Sequence, residues 1–143
     1  RHNIKVCFID YLQLVKSGEK PIREQMIDVS GAMKKLAKEY NIPIVGLAQF
    51  SRAAASERRR NLPSDLKESG SLEQDADVII SIERPFADGK DSFFDNTADP
   101  SGNLAYLHVD KNRGGKRGKA LVEYIGKFTE FKDLTNGNTE QPF

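Results

Sequence analysis

Two residues in the 143-residue sequence stand where a strand end could present chemistry. Asp10 closes the apolar run Ile4–Ile9 (IKVCFI). In an open parallel sheet, ligands bind at the carboxyl ends of strands. A carboxylate there can hold Mg²⁺ directly or through water, and it can equally serve only to close a turn. Gln49 lies near the end of a second apolar run, Ile42–Phe50 (IPIVGLAQF). An amide that closes a strand of Ile, Val and Leu needs a partner. It can contact a terminal phosphate or position a water, or it can be satisfied within the fold.

Two further stretches are basic. Ser51–Ser71 carries Arg52, Arg58, Arg59, Arg60 and Lys67 against Glu57, Asp65 and Glu68. It has no aromatic residue on which a base could stack, which favours contact with a phosphate backbone over base readout. Lys111–Lys119 (KNRGGKRGK) places five cations among three glycines. Glycine permits close backbone approach and Arg grips phosphate through two N–H groups. Both stretches can also be solvated charged loops. No nucleophile–base pair is visible: His2 and His108 lack a Ser or Cys partner, and Cys7 lies inside an apolar run. The phosphate-binding pattern GxxxxGK[ST] occurs nowhere in the chain.

The elements that must position these residues read as follows. Ile4–Ile9 predicts a strand buried on both faces. Ser17, Gly18 and Pro21 mark a loop and a helix start. Ile22, Met26, Val29, Met33, Leu36 and Tyr40 follow at alternating steps of three and four, one apolar face of an amphipathic helix that Asn41 ends. Ile42–Phe50 is a second buried strand, so the unit is strand–helix–strand with the strands parallel. Ser51–Ser71 is a long loop with one helical turn. Asp77–Ile82 is a third strand, and Pro85–Gly102 is an acidic, mobile loop. Leu104–Val109, Ala120–Ile125 and Phe128–Phe131 are three more strands, the last two joined by a tight turn at Gly126–Lys127.

Composition narrows the class. Hydrophobic residues make up 38% and charged residues 30%, enough apolar material for one core. Twenty-two Lys and Arg stand against 21 Asp and Glu, so any nucleic-acid surface must be local. One cysteine excludes an internal disulfide and, with two histidines, an ordinary zinc site. No apolar run reaches the roughly 18 residues of a membrane helix. The expected class is a soluble, intracellular, mixed α/β domain.

Four segments carry a resemblance: FIDYLQL (Phe8–Leu14), LAQFSR (Leu47–Arg52), SDLKESGSLEQDAD (Ser64–Asp77) and DKNRGGKRG (Asp110–Gly118). In order and spacing they resemble the carboxyl-terminal RecA-like motor domain of DnaB-type replicative helicases. The likeness runs from Ile4 to Leu134 and is weakest over Pro85–Asn103. It implies a partial RecA-like P-loop NTPase core of α/β class. The sheet would be mostly parallel with a carboxyl-terminal antiparallel hairpin, over residues 1–134, and 135–143 would be a disordered tail.

The resemblance also implies roles. Asp10 matches the Walker B aspartate that helps place Mg²⁺ and water. Gln49 matches the glutamine that senses the γ-phosphate and links it to the DNA loop. Lys67, Glu68 and Gly70 match DNA-contacting positions of that loop, and Arg52 is a further DNA-binding position. Lys111 and Arg113 match basic residues that reach a neighbouring subunit's nucleotide, Arg113 as the arginine finger. The implied cofactors are ATP and Mg²⁺. The implied partners are single-stranded DNA, identical subunits in a hexameric ring, primase and a helicase loader, with no membrane and a cytoplasmic location at the replication fork on the nucleoid. Lys67 stands where the family more often has Arg, and Phe50-Ser51 replaces the commoner Leu-Asn.

The chain starts at Arg1, almost on the first strand, and contains no Walker A loop. The expectation is a fragment from the Walker B strand onward, inactive alone, with the Walker A loop and catalytic glutamate upstream. Two alternatives remain: a RecA- or RadA-like DNA-binding ATPase without a replicative helicase role, and a non-catalytic single-strand DNA-binding module.

Overall fold

The computed structural model describes residues 3–51, 60–66, 70–84 and 103–134. The chain divides into two compact units, Arg1–Ser51 with Pro63–Ala76, and Arg52–Leu62 with Asp77–Phe143.

The first unit is built on two parallel strands, β1 (Cys7–Ile9) and β2 (Ile44–Gly46), paired Cys7↔Ile44, Phe8↔Val45 and Ile9↔Gly46. Between them run a 3-10 turn (Leu12–Leu14) and helix α1 (Ile22–Tyr40). The helix follows the predicted stripe. Met26 and Val29 are buried with Leu12, and Ile9, Met33, Ala48 and Leu72 pack around them. Pro21 stands at the N-cap, and Asn41 takes a left-handed conformation (φ 51°) that closes the carboxyl end. The stripe runs beyond the core at both ends, where Ile22 and Tyr40 are exposed.

Gly46 lets α1 lie close on β2. A Cβ there would stand 2.8 Å from Met33 Cε and 2.9 Å from both δ-methyls of Leu12. Ahead of the helix, Lys20 Nζ bonds Asp28 Oδ2 at 2.7 Å and Ser17 Oγ donates to the same oxygen at 3.0 Å. The hydrogen bond to Asp28 holds the Lys20 ammonium above its ordinary range. Lys20, and then Ser17, hold the Asp28 carboxyl below its own.

The predicted loop Ser51–Ser71 holds one turn among its described residues, and a helix begins at its end. A 3-10 turn (Pro63–Asp65) is followed by helix α2 (Gly70–Asp75). Leu72 seats α2 on the core. Ser30, a buried hydroxyl on α1, reaches Asp75 Oδ2 at 2.5 Å and the Ser71 carbonyl at 3.3 Å. A buried hydroxyl without partners would be costly, so this pair ties the two helices.

Neither predicted strand of this pair is buried on both faces, and the second is confined to Ile44–Gly46, with Val45 41% and Leu47 45% exposed. In β1, Ile9 packs on the core, but Phe8 is 67% exposed. α1 covers one side of the pair, and among the described residues nothing covers the other.

The second unit is a four-stranded antiparallel sheet in the order β3 (Val78–Glu83), β4 (Leu104–Asn112), β5 (Gly118–Ile125), β6 (Glu130–Asp133). Antiparallel pairing therefore extends beyond the expected terminal hairpin to β3. A bulge between Ile79 and Ile80 leaves Asp110 as the extra residue of β4. Its carboxylate is buried. It takes a hydrogen bond from Ser81 Oγ (2.5 Å) and pairs with Arg60 Nη1 (2.9 Å).

His108 pairs with Glu83 at 2.9 Å, and the Arg84 guanidinium lies 3.8 Å over the Tyr124 ring. The last turn is longer than the predicted Gly126–Lys127. Phe128 N–H bonds Ile125 O at 3.0 Å and Thr129 adopts φ 54°, so Phe128 sits in the turn and β6 starts at Glu130. The loop from Pro85 and the tail from 135 onward fall outside the described residues.

Candidate functional site

Asp10 follows β1 directly, at the carboxyl end of the parallel pair, and its peptide bond to Tyr11 is cis. The main chain keeps pairing past the ladder. Leu47 N–H bonds Ile9 O at 2.9 Å, and Leu12 N–H bonds Leu47 O at 2.8 Å. Asp10 and Gln49 therefore leave the same end of adjacent strands. Both are exposed. Neither side chain makes a hydrogen bond or ion pair among the described residues. A turn-closing Asp would accept a hydrogen bond from nearby main chain, and a satisfied strand-end amide would have a partner. Neither is seen here.

Beyond Gln49, Phe50 forms an antiparallel bridge with Leu66, and Ser51 N–H bonds Asp65 O at 2.9 Å. Asp65 is buried at this junction. The segment that carries Gln49, three residues beyond β2, is thus joined by main-chain bonds to the two residues immediately before Lys67. Arg52, Lys67 and Glu68 lie outside the described residues. Gly70 is the exposed first residue of α2, and a Cβ there would meet nothing within 4 Å.

Lys111 and Arg113 belong to the second unit. Lys111 sits near the end of β4, opposite Ile79. Arg113 opens the turn to β5 and is tied twice to Asp77. Its N–H bonds the Asp77 carbonyl at 2.9 Å, and its Nη1 lies 3.2 Å from the Asp77 carboxylate. That ion pair is exposed on both sides.

The turn itself is organised by Asn112, whose carboxamide accepts from Gly114 N–H (3.1 Å) and donates to Lys116 O (3.2 Å). A Cβ on Gly115 would stand 2.8 Å from the Asn112 amide nitrogen. Gly115 thus has a local steric cause.

Sequence reasoning missed Gln13. Its Nε2 donates to Gln49 O at 3.0 Å, and its Oε1 accepts from Gln49 N–H at 3.4 Å. The available signal was a polar residue between Leu12 and Leu14 in an otherwise apolar segment. No group of three or more His, Cys, Asp or Glu able to hold a metal occurs among the described residues. No helix of those residues is long and apolar enough to cross a membrane.

A parallel strand pair with a helical crossover, followed by an antiparallel sheet, makes the fold a partial RecA-like helicase ATPase core of α/β class. It overlays one solved ATPase domain with a TM-score of 0.76 at 30% identity, over 94% of this chain and 46% of that one. It overlays a DnaB-like replicative helicase, solved in a study of its interactions with primase, with a TM-score of 0.77 at 30% identity, over 94% of this chain and 31% of that one.

Residues 1–133 match the family model of the DnaB-like helicase C-terminal domain, and the chain belongs to that family. The replicative DNA helicase DnaB of Rickettsia prowazekii is 34% identical over 147 aligned positions, covering 94% of this chain. The chain spans 30% of the length of that relative.

Proposed function

We propose that this chain is the rear part of the motor domain of a hexameric, ATP-dependent replicative DNA helicase that moves on single-stranded DNA and unwinds duplex. The observation that carries the reading is the pair Asp10 and Gln49. They leave one end of two hydrogen-bonded parallel strands, exposed, with side chains uncommitted among the described residues. The family membership and the helicase relatives favour it over a recombinase-like ATPase or a non-catalytic binding module.

The roles follow from placement. Asp10 offers an anionic oxygen donor suited to Mg²⁺, directly or through water. ATP with Mg²⁺ supplies a transferable phosphoryl group whose charge the metal partly neutralises. Gln49 presents an exposed carboxamide beyond the neighbouring strand, able to meet a terminal phosphate or orient a water. Its segment runs on, through the Phe50–Leu66 bridge and the Ser51–Asp65 bond, to the loop of Lys67, Glu68 and Gly70, which with Arg52 follows the DNA backbone.

Lys111 and Arg113 face the nucleotide of the neighbouring subunit in the ring, where a guanidinium meets charge that develops in the transition state. Primase and a loader are the partners of the complete protein, which works in the cytoplasm at the replication fork. The 143 residues hold no GxxxxGK[ST] cradle, so alone they do not hydrolyse ATP.

ATP hydrolysis by the full-length protein, with and without single-stranded DNA, tests the reading. Asp10→Ala and Arg113→Ala are expected to lower kcat by about 10³-fold or more, the range for an arginine finger, with the protein still folded. Wild-type turnover in Arg113→Ala, or hydrolysis by the 143 residues alone, would overturn it.

A further inference from the structure

We propose that Gln13 is a positioning residue for Gln49, its carboxamide standing in for a strand that has ended. The main chains of the first two strands stay paired only as far as Leu12 and Leu47. At that point the first strand curls into the Leu12–Leu14 turn, closed by Leu14 N–H to Tyr11 O (3.0 Å) and Val15 N–H to Leu12 O (3.0 Å). Its backbone is used up, and the N–H and C=O of Gln49 would face no strand on that side.

The Gln13 side chain meets both groups, donating to the carbonyl and accepting from the N–H of the same residue. A carboxamide carries the same donor and acceptor as a peptide group, and so adds one more rung to the ladder. Glutamate at neutral pH only accepts, so it would keep one contact and set its charge against the Gln49 carbonyl.

These bonds lie at the exposed edge of the unit, where water competes for each partner. Their contribution to stability is therefore small. Orientation is what they supply. The Gln49 side chain has no hydrogen bond of its own among the described residues, so its direction comes from its main chain. The Phe50–Leu66 bridge fixes that main chain on the far side, and Gln13 fixes it on the near side. A displacement of about 1 Å of a group that meets the reacting phosphate can cost up to about 10²-fold in rate. The inference rests on the reading above that Gln49 meets the nucleotide.

The test uses the full-length protein. The kcat and KM for single-strand-stimulated ATP hydrolysis, and the thermal midpoint, are measured for Gln13→Ala, Gln13→Glu, Gln49→Ala and the double variant Gln13→Ala/Gln49→Ala. Gln13→Ala is expected to lower kcat roughly tenfold, with KM within about twofold, the pattern of a contact expressed in the transition state. Gln13→Glu, which keeps the shape but loses the donor, is expected to fall in the same direction with an unshifted thermal midpoint.

The double variant should be no slower than Gln49→Ala alone, because a residue that acts only through another adds nothing once that other is gone. A double variant a further tenfold slower would overturn the proposal, as would wild-type kcat in Gln13→Glu beside an impaired Gln49→Ala. Wild-type turnover in Gln49→Ala would overturn the role of Gln49 itself, and the proposal with it.

Discussion

Replacing Gly46 with Ala tests whether the close approach of α1 to the strand pair sets the site. The added methyl would lie 2.8 Å from Met33 Cε and 2.9 Å from Leu12 Cδ1 and Cδ2, inside any normal carbon–carbon contact. Two effects oppose. The glycine is not in the left-handed region, so Ala loses less entropy on folding, which favours the variant by about 0.4–1 kcal/mol. Overpacking of this kind costs about 1–3 kcal/mol.

The neighbours decide which wins. Met33 is half-buried and can swing its terminal methyl away, but Leu12 is 3% exposed and wedged against Met26 and Val29. Overpacking therefore wins, by about 1–2 kcal/mol net. Urea denaturation of the variant should show a lower midpoint at unchanged slope. Shortening Met33 to Ala in the same chain should recover at least about 0.5 kcal/mol as a coupling energy. Stability equal to wild type, with Met33→Ala strictly additive, would refute the steric argument.

Two other perturbations read different contacts. Asp110→Ala removes the buried acceptor of Ser81 and the partner of Arg60, whose own side chain is 32% exposed. Breaking a fully buried pair costs about 3–5 kcal/mol, and solvent at Arg60 brings this to about 2–3 kcal/mol by denaturant titration. A loss within the scatter of surface substitutions would mean the pair stabilises nothing. The Lys20–Asp28 bond makes the order of the loop before α1 pH-dependent. Asp28 is lowered, so its contribution is present above the ordinary carboxyl value and lost as pH falls through the folded pKa. Lys20 is raised, so its contribution is present below 10.5 and lost as pH rises through its folded pKa. An NMR titration should place the Asp28 midpoint below 3.8, and Lys20→Met should move it upward. Identical midpoints in the two proteins would count against the bond.

What could be read in advance follows from the kind of interaction involved. Helix α1 was legible because its stripe, from Ile22 to Tyr40, is local and periodic, and Asn41 is a local signal for its end. The parallel pairing was legible because strand, helix and strand come in sequence. The strand ends were not. Ile4 and Val6 are as apolar as Cys7 and Ile9, yet they lie outside the ladder at 58% and 38% exposure. Hydrophobicity alone does not say where a partner strand stops.

The displaced β6 has a similar cause. Its register is set by Thr129 at positive φ, a residue type that rarely signals such a turn. Least legible were the polar pairs. Gln13 with Gln49, Ser30 with Asp75 and Asp110 with Ser81 join residues 36, 45 and 29 positions apart, and only the folded chain brings them together.

Those pairs also sharpen the reading of Asp10. The acidic residues that serve the fold are spoken for: Asp110 by Arg60 and Ser81, Asp75 by Ser30, Asp77 by Arg113 and Asp28 by Lys20 and Ser17. Asp10, like the surface carboxylates Glu19 and Glu39, is exposed with no such partner among the described residues, but it stands at the end of a strand that is paired in parallel with its neighbour. A carboxylate kept for turn geometry would be bonded to its own loop, but the loop after Asp10 closes through main-chain bonds at Tyr11–Leu14 and Leu12–Val15 instead. Gln49 repeats the pattern. Its backbone is held by Gln13 and its neighbour Phe50 by Leu66, while its carboxamide is left to solvent. Rigid main chain beneath an uncommitted polar tip is the arrangement a ligand-contacting group needs, because orientation is set before the ligand arrives. Among the described residues of the first unit, Asp10 and Gln49 combine that support with adjacent strand ends. For that reason we propose this edge as the place where the nucleotide binds.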